Sequence, residues 1–273
     1  MTTVKSGLNH KGEPCEFYMN ILLNKDMIEV RKVVKEKDFD YVAIIAGLPG
    51  MGKSNFAINL AKFCDENFNI KNIAMTADEF IELTTTLPKG SAVILDESFA
   101  SMNSRISTSK DFLRIINHLQ LIRQRNLFVF LCLPNFFDLG KPISIYRSMN
   151  LFIVYGSKFG DRGDFAAYNR NKKRNLYVKG IKYMNYMVET PNYRGKFYRQ
   201  KAIDDKEYEK KKFEHLREND RQLKEKKTIS RAKTQLHKAI NALYETKQFD
   251  YEQLSDMFEI SKRTMSNIRA KFA

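Results

Sequence analysis

The residues Gly47-Leu48-Pro49-Gly50-Met51-Gly52-Lys53-Ser54 fit the phosphate-binding pattern G-x-x-x-x-G-K-[ST] at every fixed position. The glycines let successive backbone N–H groups turn inward around a phosphate. A helix starting beside them adds the positive end of its dipole. In this pattern Lys53 reaches the β- and γ-phosphates and the Ser54 hydroxyl ligates Mg2+. Gly47, Gly50, Met51, Gly52, Lys53, Ser54 and Asn55 are therefore the expected nucleotide cradle, with ATP and Mg2+ as cofactors. Roughly forty residues later, Ala92-Val93-Ile94-Leu95-Asp96-Glu97 reads as an apolar strand closing on two acids. Asp96 is expected to share the metal with Ser54, and Glu97 to polarise the attacking water.

These groups need a scaffold, and the flanking pattern supplies one. Tyr41 to Ala46 is apolar enough for a buried strand, and Asn55 to Phe63 has helical spacing with Phe56, Leu60 and Phe63 on one stripe. Asn72 to Met75 reads as a short strand, and Asp78 to Leu87 as a helix broken by Pro88-Lys89-Gly90. The polar stretch Ser98 to Lys110, which contains Arg105, reads as a loop over the site. Asp111 to Arg125 is helical, with Phe112, Ile115, Ile116, Leu119 and Ile122 on one face. Leu127 to Leu133 is a continuous apolar strand of the kind parallel sheets bury. It ends at Pro134-Asn135, where Asn135 is placed to sense the γ-phosphate or orient water; Asn is also an ordinary turn residue. Leu151 to Tyr155 adds another core strand. Strands alternating with helices predict an α/β fold, a P-loop NTPase with a mainly parallel sheet flanked by helices.

Length and composition narrow the class. The 273 residues, 43% of them hydrophobic, suffice for one substantial domain and a smaller one. No apolar run is long enough to span a membrane, and the polar first residues lack the apolar core of a secretory signal. Cys15, Cys64 and Cys132 are far apart and in no metal-ligand spacing, so they read as reduced thiols of a cytosolic protein. Residues 1–40 leave one point open: Ile21 to Val34 suits either a strand or a short helix.

The net charge of +15 is unevenly placed: residues 158–201 alone carry a net of +9. Aromatics stand among those cations, including Phe165, Tyr168, Tyr177, Tyr183, Tyr186, Tyr193, Phe197 and Tyr198. Such a mixture suits stacking and phosphate contacts to nucleic acid, although tyrosines in strands also serve simply as packing. Asn169 to Asn175 reads as a hairpin turn, making Lys172, Lys173 and Arg174 candidate DNA contacts.

Toward the C-terminus, Asp204 to Lys227 is dense in both signs and reads as a solvated helix or linker. Arg231 to Tyr244 is an amphipathic helix with Leu236, Ile240 and Leu243 inward. Asp250 and Gln253 have capping-box spacing for a helix from Tyr251 to Phe258, and Lys262 to Lys271 forms another with Met265 and Ile268 inward. This is a helix-turn-helix pattern, in which Lys262, Arg263, Ser266, Asn267 and Arg269 face DNA. A plain three-helix bundle for protein contacts is the alternative. The expected organisation is an N-terminal segment (1–40), an ATPase core (41–157), a basic strand-rich extension (158–201), a charged linker helix (202–230) and an all-α helix-turn-helix domain (231–273).

From Asp96 to Tyr155 the chain resembles a narrower group. Asp96-Glu97, Ser104-Arg105, Leu121-Ile122-Arg123-Gln124-Arg125-Asn126, Leu133-Pro134-Asn135-Phe136-Phe137 and Arg147 resemble the HerA/FtsK superfamily, nearest to the zonula-occludens-toxin-like ATPases of viruses and mobile elements. The resemblance implies an ATP-driven DNA motor, usually a ring and in some cases a hexamer, used in packaging, conjugation or segregation. Its implied partners are DNA, further copies of the chain, and capsid or transfer-apparatus proteins. It also implies a trans-acting arginine, for which Arg105, Arg123, Arg125 and Arg147 are candidates. The family often has Gln where this chain has Asn135. A second reading is an ATP-switched DNA-binding adaptor such as a transposition helper, helicase loader or partition regulator. A metabolic or signalling kinase is disfavoured, because no second substrate pocket is visible and the basic charge would be idle.

Overall fold

The computed structural model describes residues 2–96, 110–158 and 160–272. The ambiguous N-terminus forms an antiparallel hairpin, β1 (Thr2–Leu8) and β2 (Pro14–Met19), followed by helix α1 (Ile21–Glu36). Cys15, Phe17 and Met19 alternate inward along β2, the period-2 pattern of a half-buried strand. Asn20 decides the next segment for helix: its side chain accepts from Leu22 N and Leu23 N, satisfying otherwise orphaned donors.

The central sheet contains β3 (Tyr41–Ala46), β4 (Ile73–Ala74), β5 (Ala92–Leu95), β6 (Phe128–Leu133), β7 (Asn150–Tyr155), β8 (Asp164–Tyr168) and β9 (Tyr193–Lys196). Their order is β4-β5-β6-β3-β7-β8-β9. The first five in that order are parallel; β8 pairs antiparallel with β7, and β9 antiparallel with β8. Strand β3 shows why the sheet needs helices on both faces. Tyr41, Ala43 and Ile45 join one apolar cluster, and Val42, Ile44 and Ala46 join the other. The first cluster includes the hairpin, α1 and α2 (Lys53–Cys64). The second includes α3 (Ala77–Thr86), α4 (Lys110–Leu121) and α5 (Arg170–Gly180).

The segment expected as a separate basic extension is continuous with this sheet. Strand β8 pairs with β7 and is buried throughout, and β9 pairs with β8. Phe165, Tyr168, Tyr177 and Phe197 are core residues, so these four aromatics serve packing rather than base stacking. The expected hairpin turn at 169–175 is instead the start of α5. Asn169 is its N-cap, accepting from Lys172 N at 3.0 Å. A run of asparagines and cations that suggests a turn therefore begins a helix.

The chain divides into two compact units, Met1–Lys212 and Phe213–Ala273. The division falls within α6 (Asp205–Glu245), which joins the expected charged linker and the first expected C-terminal helix into one element. In the second unit, α7 (Tyr251–Met257) starts at a capping box formed by Asp250 and Gln253. Helix α8 (Lys262–Phe272) follows a short turn. Ile240, Leu254, Met265 and Ile268 form its buried centre, with Leu243 and Phe258 packed beside them. Leu236, expected inward, is exposed on α6.

Candidate functional site

All parallel strands end on one edge of the sheet, and the chemistry-bearing residues gather there. Strand β3 delivers the phosphate loop and β5 delivers Asp96, while β6 lies between them and ends beside Asn135. The loop's shape depends on its glycines. A Cβ at Gly47 would stand 2.1 Å from the Val154 carbonyl oxygen, so the loop crosses β7 too closely for any side chain. Gly52 is the N-cap of α2 in a left-handed conformation, φ 95°, which aims the first helical N–H groups into the loop.

Lys53 is buried, and its Nζ donates to the carbonyl oxygens of Gly47 at 2.8 Å and Leu48 at 3.1 Å. The ammonium thus lies over the concave side of the loop, where an anion would meet it. The Ser54 Oγ donates to Asp96 Oδ1 at 3.1 Å and lies 3.3 Å from Oδ2. Asp96 is buried, and its own N–H bonds to the Ala74 carbonyl. A hydroxyl and a carboxylate at this spacing are hard oxygen donors of the kind that suit Mg2+ with phosphate oxygens and water completing its shell. Glu97 and Arg105 lie outside the described residues.

A further group at this point was missed in the sequence. The Tyr208 hydroxyl, from the first turn of α6, donates to Asp96 Oδ2. Burial, then the neighbouring Asp96 carboxylate, pushes this phenol well above its ordinary value, which keeps it a donor. Its only local hint is an aromatic among the charges of a stretch read as solvated.

Asn135 is half-buried between the tips of the two site-bearing strands, and its amide is engaged locally. Its Oδ1 accepts from Tyr186 Oη at 2.6 Å and from Phe137 N at 3.4 Å, and its Nδ2 donates to Asp138 at 3.0 Å. Met51 and Asn55 are half-buried in the loop and the first turn of α2, and Asn55 Oδ1 accepts from Gln200 N at 3.5 Å.

The arginine candidates separate. Arg125 donates to the carbonyls of Thr85 at 2.5 Å and Leu87 at 2.7 Å, capping the end of α3. Arg147 is paired with Asp40 and donates to the Leu119 carbonyl at 2.8 Å. Both guanidiniums are thus engaged by carbonyls or a carboxylate of their own chain. Arg123 is exposed, with its guanidinium 5.5 Å from the Phe39 ring centre.

Lys173 is also corrected as a DNA contact. It is fully buried and donates to the carbonyl and hydroxyl oxygens of Ser148, because α5 turns that face onto the sheet. Arg174 is exposed, and Lys172 reaches Thr190 and the Pro191 carbonyl. On α8, Arg263, Ser266 and Asn267 are exposed on the face away from Met265 and Ile268. For Lys262 and Arg269 the side chains lie outside the description.

Fold and site together define a phosphate-binding-loop α/β protein. No protein-family profile and no curated protein matches the chain. Among solved structures, it is similar to the N-terminal domain of zonular occludens toxin from Neisseria meningitidis, at 19% identity and a TM-score of 0.39, over 63% of this chain and 98% of that one. It is also similar to the genome packaging NTPase of Sulfolobus turreted icosahedral virus 2 in complex with AMP. There the identity is 14% and the TM-score 0.31, over 49% of this chain and 94% of the other. Among the described residues, no helix is long and apolar enough to cross a membrane.

Proposed function

We propose that the chain is an ATP-hydrolysing DNA motor of a virus or mobile element, working as a ring oligomer in packaging or conjugation-like transfer. The observation that carries the nucleotide part is the meeting of Ser54 and Asp96 beside a phosphate loop whose lysine lies over its concave side. Lys53 would bind the β- and γ-phosphates, and Ser54 and Asp96 would hold Mg2+. When bound, the ion neutralises phosphate charge as the reaction proceeds. Glu97, the next residue after Asp96, would orient the attacking water, and Asn135 would sense the γ-phosphate on leaving its local partners. Of the trans-acting candidates Arg105, Arg123, Arg125 and Arg147, the exposed Arg123 is the one favoured, since Arg125 and Arg147 bond within the chain. DNA binding is supported by the net +9 of residues 158–201 and by the exposed Arg263 and Asn267 of a helix-turn-helix arrangement.

One observation favours the second reading, an ATP-switched DNA-binding adaptor. Tyr208 links α6, the helix leading into the C-terminal unit, to the metal-binding carboxylate. ATP hydrolysis measured with and without DNA, with Glu97→Gln as the control, tests the shared proposal. DNA stimulation that disappears in the variant supports it, and a DNA-indifferent rate removes the motor. Translocation of a labelled duplex against a roadblock then separates motor from switch.

A further inference from the structure

A short strap ties the start of α6 to the nucleotide site. It begins at Phe197, whose ring packs on Phe56 at 4.9 Å and stands 3.2 Å from where a Cβ on Gly52 would be. The Tyr198 carbonyl accepts from Asn59 Nδ2 at 3.0 Å, fastening the strap to the middle of α2. Gln200 is buried and folds the chain back on itself: its Nε2 donates to Ile203 O at 3.1 Å and Asp205 Oδ1 at 2.7 Å. Ala202 and Ile203 are buried in the same apolar cluster as α2. Lys211 donates to the Ile73 carbonyl at 2.5 Å and lies 3.8 Å from Glu79. Between these anchors stands Tyr208, bonded to Asp96.

On the reading that Ser54 and Asp96 hold the metal of a bound nucleotide, we propose that Tyr208 is a positioning residue. Its hydroxyl and the metal compete for the Asp96 carboxylate. Asp96 has two oxygens. Both lie within 3.3 Å of Ser54 Oγ, and Oδ2 also accepts from Tyr208. Held by Ser54 and Asp96, a divalent cation would withdraw electron density from that carboxylate, weakening the hydrogen bond that Asp96 accepts from the Tyr208 phenol. Nucleotide without metal reaches the loop and Lys53 and leaves Asp96 to Tyr208. Release of Tyr208 therefore follows metal-bound nucleotide specifically, and it loosens the first turns of α6 from the sheet edge. Phe197 and Ile203 keep the strap attached before it and Lys211 holds the helix after it, so the change is confined to the turns between Asp204 and Lys211.

Affinity for the ATP analogue AMP-PNP, measured by calorimetry with Mg2+ and with EDTA, tests this on the full chain and on Tyr208→Phe. Loss of one hydrogen bond to a charged group predicts that the variant binds Mg2+·AMP-PNP roughly tenfold more tightly. Its metal-free affinity should equal the wild type's. Hydrogen exchange supplies a readout independent of the variant: backbone amides of residues 205–211 should exchange faster in the wild type with Mg2+·AMP-PNP than with metal-free AMP-PNP. Equal affinities of the two proteins under both conditions, or unchanged exchange despite binding, overturn the role of Tyr208 and leave the nucleotide site standing. Absence of AMP-PNP binding with or without metal overturns the nucleotide reading itself, and this inference with it.

Discussion

Arg147 lays its guanidinium on Asp40, with Nη1 3.2 Å from Oδ1 and Nη2 against Oδ2. The two residues precede β7 and β3, adjacent parallel strands, at the edge of the sheet opposite the phosphate loop. The Asp40 side chain is 5% exposed and that of Arg147 17%. Removing one partner leaves a charge in a place where water hardly reaches. Arg147→Ala should lower stability by about 3–5 kcal/mol, measured by urea unfolding. Turnover per folded molecule should stay near the wild-type value, because the pair braces the strands at the sheet edge opposite the phosphate loop. A variant that stays fully stable and loses turnover would return Arg147 to the catalytic candidates.

Lys173 makes the chain's stability depend on pH. Burial, aided by nearby Arg170, lowers its ammonium from the ordinary 10.5 to about 7. An unfolded chain keeps that proton up to its ordinary value, whereas the folded chain gives it up near neutrality. Between those two values the unfolded state binds more protons, so stability rises with pH; below about 7 both states are protonated and the slope vanishes. The rise amounts to a few kcal/mol, on the order of one per pH step. Lys173→Met should flatten it. The check is the difference between wild-type and variant urea midpoints taken from about pH 7 to about pH 10.

The contrast between Lys53 and Lys173 explains what was legible in the sequence. Lys53 stands at a fixed place in a motif, so its neighbours follow from spacing, and the apolar runs of β3, β5 and β6 announced a buried parallel sheet around it. Lys173 sits in a run of cations, and only the packing of α5 against the sheet shows that one of them turns inward. Tyr208 is harder still, since its partner Asp96 is 112 residues away. Arg125 and Arg147 were candidates through the resemblance of their stretches; that carbonyls and a carboxylate from other elements hold them is visible only in the fold. The N-terminal hairpin did carry a period-2 signal in Cys15, Phe17 and Met19, but a weak one beside the charged turn residues around it.

Gly52 should be intolerant for two separable reasons. Its φ of 95° strains any other residue, and a Cβ would press the Phe197 ring at 3.2 Å. Gly52→Ala should cost about 1–3 kcal/mol, read by urea unfolding, and weaken AMP-PNP binding by tilting the first N–H groups of α2. In a Phe197→Leu background the ring contact is gone and only the backbone part of the cost remains. A double-mutant cycle should therefore give a coupling of about 0.5 kcal/mol or more. Full additivity would mean that the ring yields freely and the backbone carries the whole cost.

The C-terminal unit carries the last prediction. With Met265 and Ile268 buried against Ile240 and Leu254, the exposed Arg263 and Asn267 share the outer face of α8. If that face enters a groove of DNA, the two residues should fail differently. Arg263→Ala, removing a phosphate contact, should weaken binding evenly across sequences and reduce the slope of log affinity against log salt by about one. Asn267→Ala should leave the salt slope in place and reduce discrimination between sequences, because an amide reads base edges rather than charge. Fluorescence anisotropy with two unrelated duplexes over a salt series measures both. If neither variant changes DNA affinity while both fold normally, α8 does not read the DNA, and any DNA binding rests on other cations such as the exposed Arg174.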